Sequence, residues 1–155
     1  LANVNCPGQI VVSGTKEGVE AIAARGKEAG AKRVIPLDVS GPFHSSLMAP
    51  ASARLEQLLA DVSIQAPKVP LIANVTARET SDPEEIRSLL VKQVVAPVLW
   101  EDSVRRLLAL GVDTFLEFGP GTVLSGLIKK IDKGVQTYSI NSAEAARDAV
   151  SALKK

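Results

Sequence analysis

The stretch from Thr114 to Ile140, TFLEFGPGTVLSGLIKKIDKGVQTYSI, decides the fold class. Thr114 to Phe118 is rich in aromatic and branched residues and predicts a strand. Gly119-Pro120-Gly121 breaks it. Leu124, Leu127, Ile128 and Ile131 then recur at helical spacing. Val135 to Ile140 returns to an extended pattern, and Ser142 is placed to cap a last helix. A strand, a helix and a strand in that order form the unit of a parallel α/β sheet.

Upstream, the alternation continues. Pro7-Gly8 is a turn, and Gln9 to Ser13 reads as a strand. Thr15 is the expected N-cap of a helix with Val19, Ile22, Ala23 and Gly26 on one face and Gly30 as its stop. Arg33 to Val39 reads as the next strand. After Ser40-Gly41-Pro42, a helix is expected from near Pro50 to Asp61, with Leu55, Leu58, Leu59 and Val62 at helical spacing. Val69 to Val75 has the continuous apolar character of a buried parallel strand. Ser81 and Glu84 form a capping box around Pro83 and open a helix bearing Ile86, Leu89, Leu90 and Val94. Pro97 ends or kinks it. Another helix turns Val104, Leu107 and Leu108 inward and stops at Gly111. From Val69 onward the expected order is β-α-α-β-α-β-α, a parallel sheet with right-handed crossovers. Leu1 to Asn5 reads as the inside of a strand, as if earlier elements were removed.

Composition excludes several functions. A net charge of +1 gives no field to draw nucleic acid or an anionic membrane, and basic runs with interleaved aromatics are absent. No apolar run approaches the ~20 residues of a membrane span. With three Phe, one Trp and one Tyr, the core must be aliphatic. The single cysteine, Cys6, cannot close an internal disulfide, which favours a reducing, cytoplasmic setting. One His and one Cys form no metal cluster.

His44 is the only histidine, and it lies between a predicted strand and helix, where α/β proteins place reactive groups. A neutral imidazole there can serve as a general base. A surface or capping histidine is the plainer reading. Gln93 falls on the apolar stripe of its helix, so its side chain must find partners. Its carbonyl would accept from residue 97, which is Pro and has no N–H. That carbonyl can therefore take an imidazole N–H, or end on water like other helix termini. Gly119-Pro120-Gly121 reads as a tight turn or a weak anion site. Lys129, Lys130 and Lys133 read as a solvated face or a contact for an acidic partner. No Gly-x-Ser-x-Gly nucleophile elbow occurs.

Five blocks, in order, resemble one family. They are Asn5-Cys6-Pro7-Gly8-Gln9-Ile10-Val11-Val12-Ser13-Gly14, Gly41-Pro42-Phe43-His44-Ser45 with Leu47-Met48, Val69 to Val75, Lys92-Gln93-Val94-Val95-Ala96-Pro97-Val98, and Glu117 to Leu124. Together they resemble the malonyl-CoA:acyl-carrier-protein transacylases. The resemblance implies transfer of malonyl from coenzyme A to the phosphopantetheine thiol of acyl carrier protein through a malonyl-serine, with no cofactor or metal. It implies that His44 is the catalytic base, oriented by the Gln93 carbonyl. It further implies that Phe43 beside it favours malonyl, and that Asn5 touches substrate. The implied fold is a larger α/β-hydrolase-like lobe, here residues 40–155, with a small ferredoxin-like lobe whose end is residues 1–39. In that family the nucleophilic serine, the oxyanion donors and the carboxylate-binding arginine precede these blocks. The chain is therefore expected to supply the histidine half, to be inactive without an N-terminal half, and to expose apolar edges. Two alternatives are a fragment of a polyketide or fatty-acid megasynthase, and a non-enzymatic module that binds carrier protein.

Overall fold

The computed structural model describes residues 1–154. It contains seven strands and six α-helices among those residues. Strand β1 (Asn3–Cys6) turns at Gly8, whose φ of +76° suits glycine, into β2 (Gln9–Val11). Helix α1 (Lys16–Arg25) starts at Thr15, whose hydroxyl accepts from the Gly18 N–H. A short 3₁₀ turn (Ser46–Met48) leads into α2 (Ala49–Ala60). Strands β3 (Leu71–Ile72) and β4 (Glu79–Thr80) precede α3 (Pro83–Lys92), β5 (Val98–Leu99) and α4 (Trp100–Ala109). The chain ends with β6 (Thr114–Phe118), α5 (Val123–Ile131), β7 (Gln136–Ile140) and α6 (Ala143–Leu153).

The predicted unit from Thr114 to Ile140 forms as expected. β6 and β7 are parallel, in register from Thr114 with Gln136 to Phe118 with Ile140. The Ser142 hydroxyl caps α6 by accepting from the Ala145 N–H. The core lies where α4 and α5 meet this pair. Val104, Ile128 and Val135 are buried there, with Trp100, Leu108, Phe115 and Ile131 packed against them. It is largely aliphatic, as the composition required. Leu124, which shares the helical spacing of Leu127 and Ile128, is exposed.

The sheet differs from the expectation. Instead of one parallel sheet there are, among the described residues, three small ones, β2-β1-β5, β3-β4 and β6-β7. β1 pairs antiparallel with β2 and parallel with β5, matching Asn3 to Val98 and Val4 to Leu99. Both α4 and α5 pack on β1, so helices rather than ladder bonds join the first and last sheets.

Residues 33–39 are not a strand. Ile35, Leu37 and Val39 alternate as a strand would, yet all are exposed, and no described strand pairs with them. β-propensity expresses fit to a neighbouring strand, and none is in place here. Residues 69–75 give only the two-residue β3, antiparallel to β4. The chain reverses just after it, where the Ala77 N–H bonds the Ala73 carbonyl at 2.8 Å and Ala77 takes φ +53°. A reversal so soon leaves no length for a parallel strand. The predicted Ser81 capping box is replaced by Asp82, whose carboxylate accepts from the Glu84 N–H at 3.2 Å. Pro83 takes the first helical position, so the residue directly before it becomes the cap. α1 ends at Arg25, and Gly30 closes the turn that follows. Among the described residues, no helix is long and apolar enough to cross a membrane.

Candidate functional site

His44 sits just before the 3₁₀ turn that leads into α2. It takes φ +58°, an uncommon conformation for a residue with a side chain and one that costs about 1–2 kcal/mol. Such strain persists only where neighbours over-determine it. Here three hydrogen bonds hold the loop. The Ser45 hydroxyl donates to the Pro42 carbonyl at 2.7 Å, and the Ser13 hydroxyl donates to the Phe43 carbonyl at 2.5 Å. The third joins His44 Nδ1 to the Gln93 carbonyl oxygen at 2.8 Å. A carbonyl can only accept, so Nδ1 carries the proton and Nε2 of the neutral ring keeps its lone pair.

Gln93 is available for this because α3 stops at Lys92. Gln93 is the C-cap, with its own N–H bonded to the Leu89 carbonyl at 3.0 Å. Helix end and Pro97 together leave its carbonyl without a backbone donor, as the sequence argued, and the imidazole supplies one. The Gln93 side chain is half-buried, and its Oε1 accepts from Asn74 Nδ2 at 3.1 Å. The Asn74 carbonyl accepts in turn from the Leu99 N–H of β5 at 2.8 Å. Asn74 was not singled out from sequence. Its signal was a polar residue closing the apolar run Val69 to Ala73.

Phe43 is exposed, with its ring lying over Gly41. Asn5 lies half-buried in β1, and no hydrogen bond links it to His44 or Phe43 among the described residues. The structure thus brings His44 and Gln93 together, sets Phe43 beside them in the chain, and leaves Asn5 outside their hydrogen-bonded network. No cluster of His, Cys, Asp and Glu suited to a metal ion occurs among the described residues.

The turn at residues 119–121 is a turn rather than an open anion site. The Glu117 carboxylate fills the N-terminus of α5, accepting from the N–H groups of Leu124 at 3.0 Å and Ser125 at 2.8 Å. Hydrogen bonding by the Ser125 side chain, then by these two N–H groups, holds its carboxyl below the ordinary value. Of the three lysines, Lys129 donates to the Val135 carbonyl and Lys130 to Gln9 Oε1, the latter at 3.2 Å. Elsewhere, Arg106 grips both Glu79 oxygens, and this hydrogen bonding lowers the Glu79 carboxyl and raises the Arg106 guanidinium.

The chain as a whole is similar to known proteins. The family profile described as acyl transferase domain matches residues 1–150. The chain belongs to the acyl transferase domain family. A malonyl CoA-acyl carrier protein transacylase of Bacillus subtilis (strain 168) is 48% identical over all 155 residues, which span 49% of that protein. The crystal structure of an acyl-carrier-protein S-malonyltransferase from Bartonella henselae superposes with a TM-score of 0.94 at 43% identity, covering 100% of this chain and 49% of that one. A malonyl-transacylase in complex with a type II PKS acyl-carrier protein superposes with a TM-score of 0.92 at 38% identity, covering 97% of this chain and 49% of that one. The acyl transferase chain therefore has the mixed α/β fold of these relatives and spans about half their length.

Proposed function

We propose that this chain supplies the general base of an acyl transferase that moves malonyl from coenzyme A to the phosphopantetheine thiol of acyl carrier protein. The observation that carries the reading is the 2.8 Å bond from His44 Nδ1 to the Gln93 carbonyl. It fixes the tautomer in which Nε2 is the basic nitrogen. Nε2 takes the proton from a serine hydroxyl as that oxygen attacks the malonyl thioester, and returns it to the departing coenzyme A thiolate. In the second half, Nε2 takes the proton of the phosphopantetheine thiol as its sulfur attacks the malonyl-serine, the carbonyl carbon's bond to the serine oxygen breaks, and Nε2 returns the proton to that oxygen. When the ring is protonated, the Gln93 carbonyl stabilises the imidazolium through a dipole rather than a full charge, so the ring returns its proton readily.

The serine comes from outside these residues, which contain no Gly-x-Ser-x-Gly. The chain is accordingly the histidine half of the enzyme and inactive without a complementary half. Residues 40–155 then belong to the α/β-hydrolase-like lobe, and residues 1–39 to the end of a small ferredoxin-like unit, although β1 bonds to β5 across that boundary. Phe43 sets acyl preference by bulk next to the base. Asn5 contributes to substrate binding from β1.

The test is malonyl transfer to carrier protein by this chain, alone and mixed with the N-terminal half of a related transacylase. Activity is expected only in the mixture, and His44→Ala should remove it. Transfer by the chain alone would overturn the reading, because a nucleophile would then lie within it. A mixture whose rate is indifferent to His44→Ala would overturn it too.

A further inference from the structure

We infer that Asn74 is a positioning residue that sets the tautomer of His44 through Gln93. The inference deepens the proposed role of His44 and rests on that reading for its effect on transfer. Its structural part stands independently.

Four groups form one relay. The Leu99 N–H of β5 donates to the Asn74 carbonyl at 2.8 Å. Asn74 Nδ2 donates to Gln93 Oε1 at 3.1 Å. The Gln93 carbonyl accepts from His44 Nδ1 at 2.8 Å. β5 is itself paired with β1. The relay therefore runs from a sheet strand, through the side-chain amides of Asn74 and Gln93, to the imidazole. The reason it needs Asn74 lies in where α3 ends. Gln93 is the last residue held by a helical N–H bond to Leu89, and Val94 and Val95 follow in looser bonds of 3.3 and 3.2 Å to Val91 and Lys92. The Gln93–Val94 peptide, whose carbonyl faces His44, is thus at the frayed end of a helix. A second tether on residue 93 fixes where that carbonyl lies, and the Asn74 amide is that tether.

Removing the tether leaves the carbonyl chemically intact but free to shift. The ring then loses its preference for Nδ1–H, and the fraction with a basic Nε2 falls. Asn74→Asp should preserve the tether. The Gln93 amide can turn over, so that its NH₂ donates to the new carboxylate in the same place.

His44 is the only histidine, so nitrogen NMR of isotope-labelled histidine reads its tautomer without ambiguity in this chain. The wild-type chain should show Nδ1–H. Asn74→Ala should raise the Nε2–H form severalfold, and Gln93→Ala, which keeps the carbonyl but removes the tethered side chain, should do the same. The double variant should be no worse than either single one, as expected for one interaction. Asn74→Asp should restore the wild-type spectrum. In the reconstituted mixture, Asn74→Ala should lower kcat about tenfold with little change in KM. A folded Asn74→Ala chain with an unchanged tautomer would overturn the inference. If circular dichroism shows that Asn74→Ala does not fold, an unchanged tautomer in Gln93→Ala would overturn it equally. A shifted tautomer with no malonyl transfer in the wild-type mixture would sink the proposed activity while leaving the positioning role in place.

Discussion

Replacing Glu117 by Gln tests what holds α5 onto the β6-β7 pair. The carboxylate accepts two backbone N–H bonds at the start of α5, at 3.0 and 2.8 Å. An amide has one oxygen, so it can keep one of these and must turn its NH₂ toward the other donor. The loss of one hydrogen bond costs about 1 kcal/mol. The loss of a negative charge at a helix N-terminus adds about 0.3–1 kcal/mol. With an m-value of about 1–3 kcal/mol/M, a total near 1.5 kcal/mol moves the urea midpoint down by about 0.5–1.5 M at pH 7. The effect depends on pH in a defined direction. The folded carboxyl titrates below its ordinary value of 4.5. Its contribution is therefore complete above that value and disappears as the pH falls through the lower, folded pKa. Urea melts followed by circular dichroism at pH 7 and at successively lower pH should show the wild-type advantage shrinking. An equal midpoint at pH 7, or a difference that persists unchanged into acid, would refute the reasoning.

Val104 is the most buried side chain of the core, and Val104→Ala should destabilise the chain by about 2 kcal/mol from lost burial and the cavity left. A change in the urea midpoint within error would contradict that placement. Ser13→Ala removes the bond to the Phe43 carbonyl while leaving His44 tied to Gln93. Transfer in the reconstituted mixture should fall by roughly three- to tenfold with stability little changed, and an unaltered rate would show that the loop holds its shape without Ser13.

Features written in local chemistry were legible in the sequence. Thr15 and Ser142 were identified as caps because a hydroxyl three residues before a free N–H is a local relation. The freed carbonyl of Gln93 was legible because Pro97 has no N–H, whatever the tertiary structure. Strands were less so. Ile35, Leu37 and Val39 alternate correctly, but a strand exists only when another strand accepts its bonds. The cap on α5 was missed for a related reason. Glu117 lies seven residues before Leu124, across a turn, and no capping-box spacing reaches that far. Asn74 and Gln93 carry no mutual pattern in sequence. Only the return of β5 beside residue 74 brings them together.

The pairing of β1 with β5 imposes an order on the birth of the molecule. Val98, the partner of Asn3, is synthesised roughly 95 residues after it, about 5–20 s later at ordinary synthesis rates. During that interval, of the two described partners of β1, only β2 is available, and a two-stranded hairpin is marginal alone. The β2-β1-β5 sheet thus closes only after the chain has been made as far as β5. Slow translation between residues 12 and 97 should lengthen the exposure of this hairpin to chaperones and proteases.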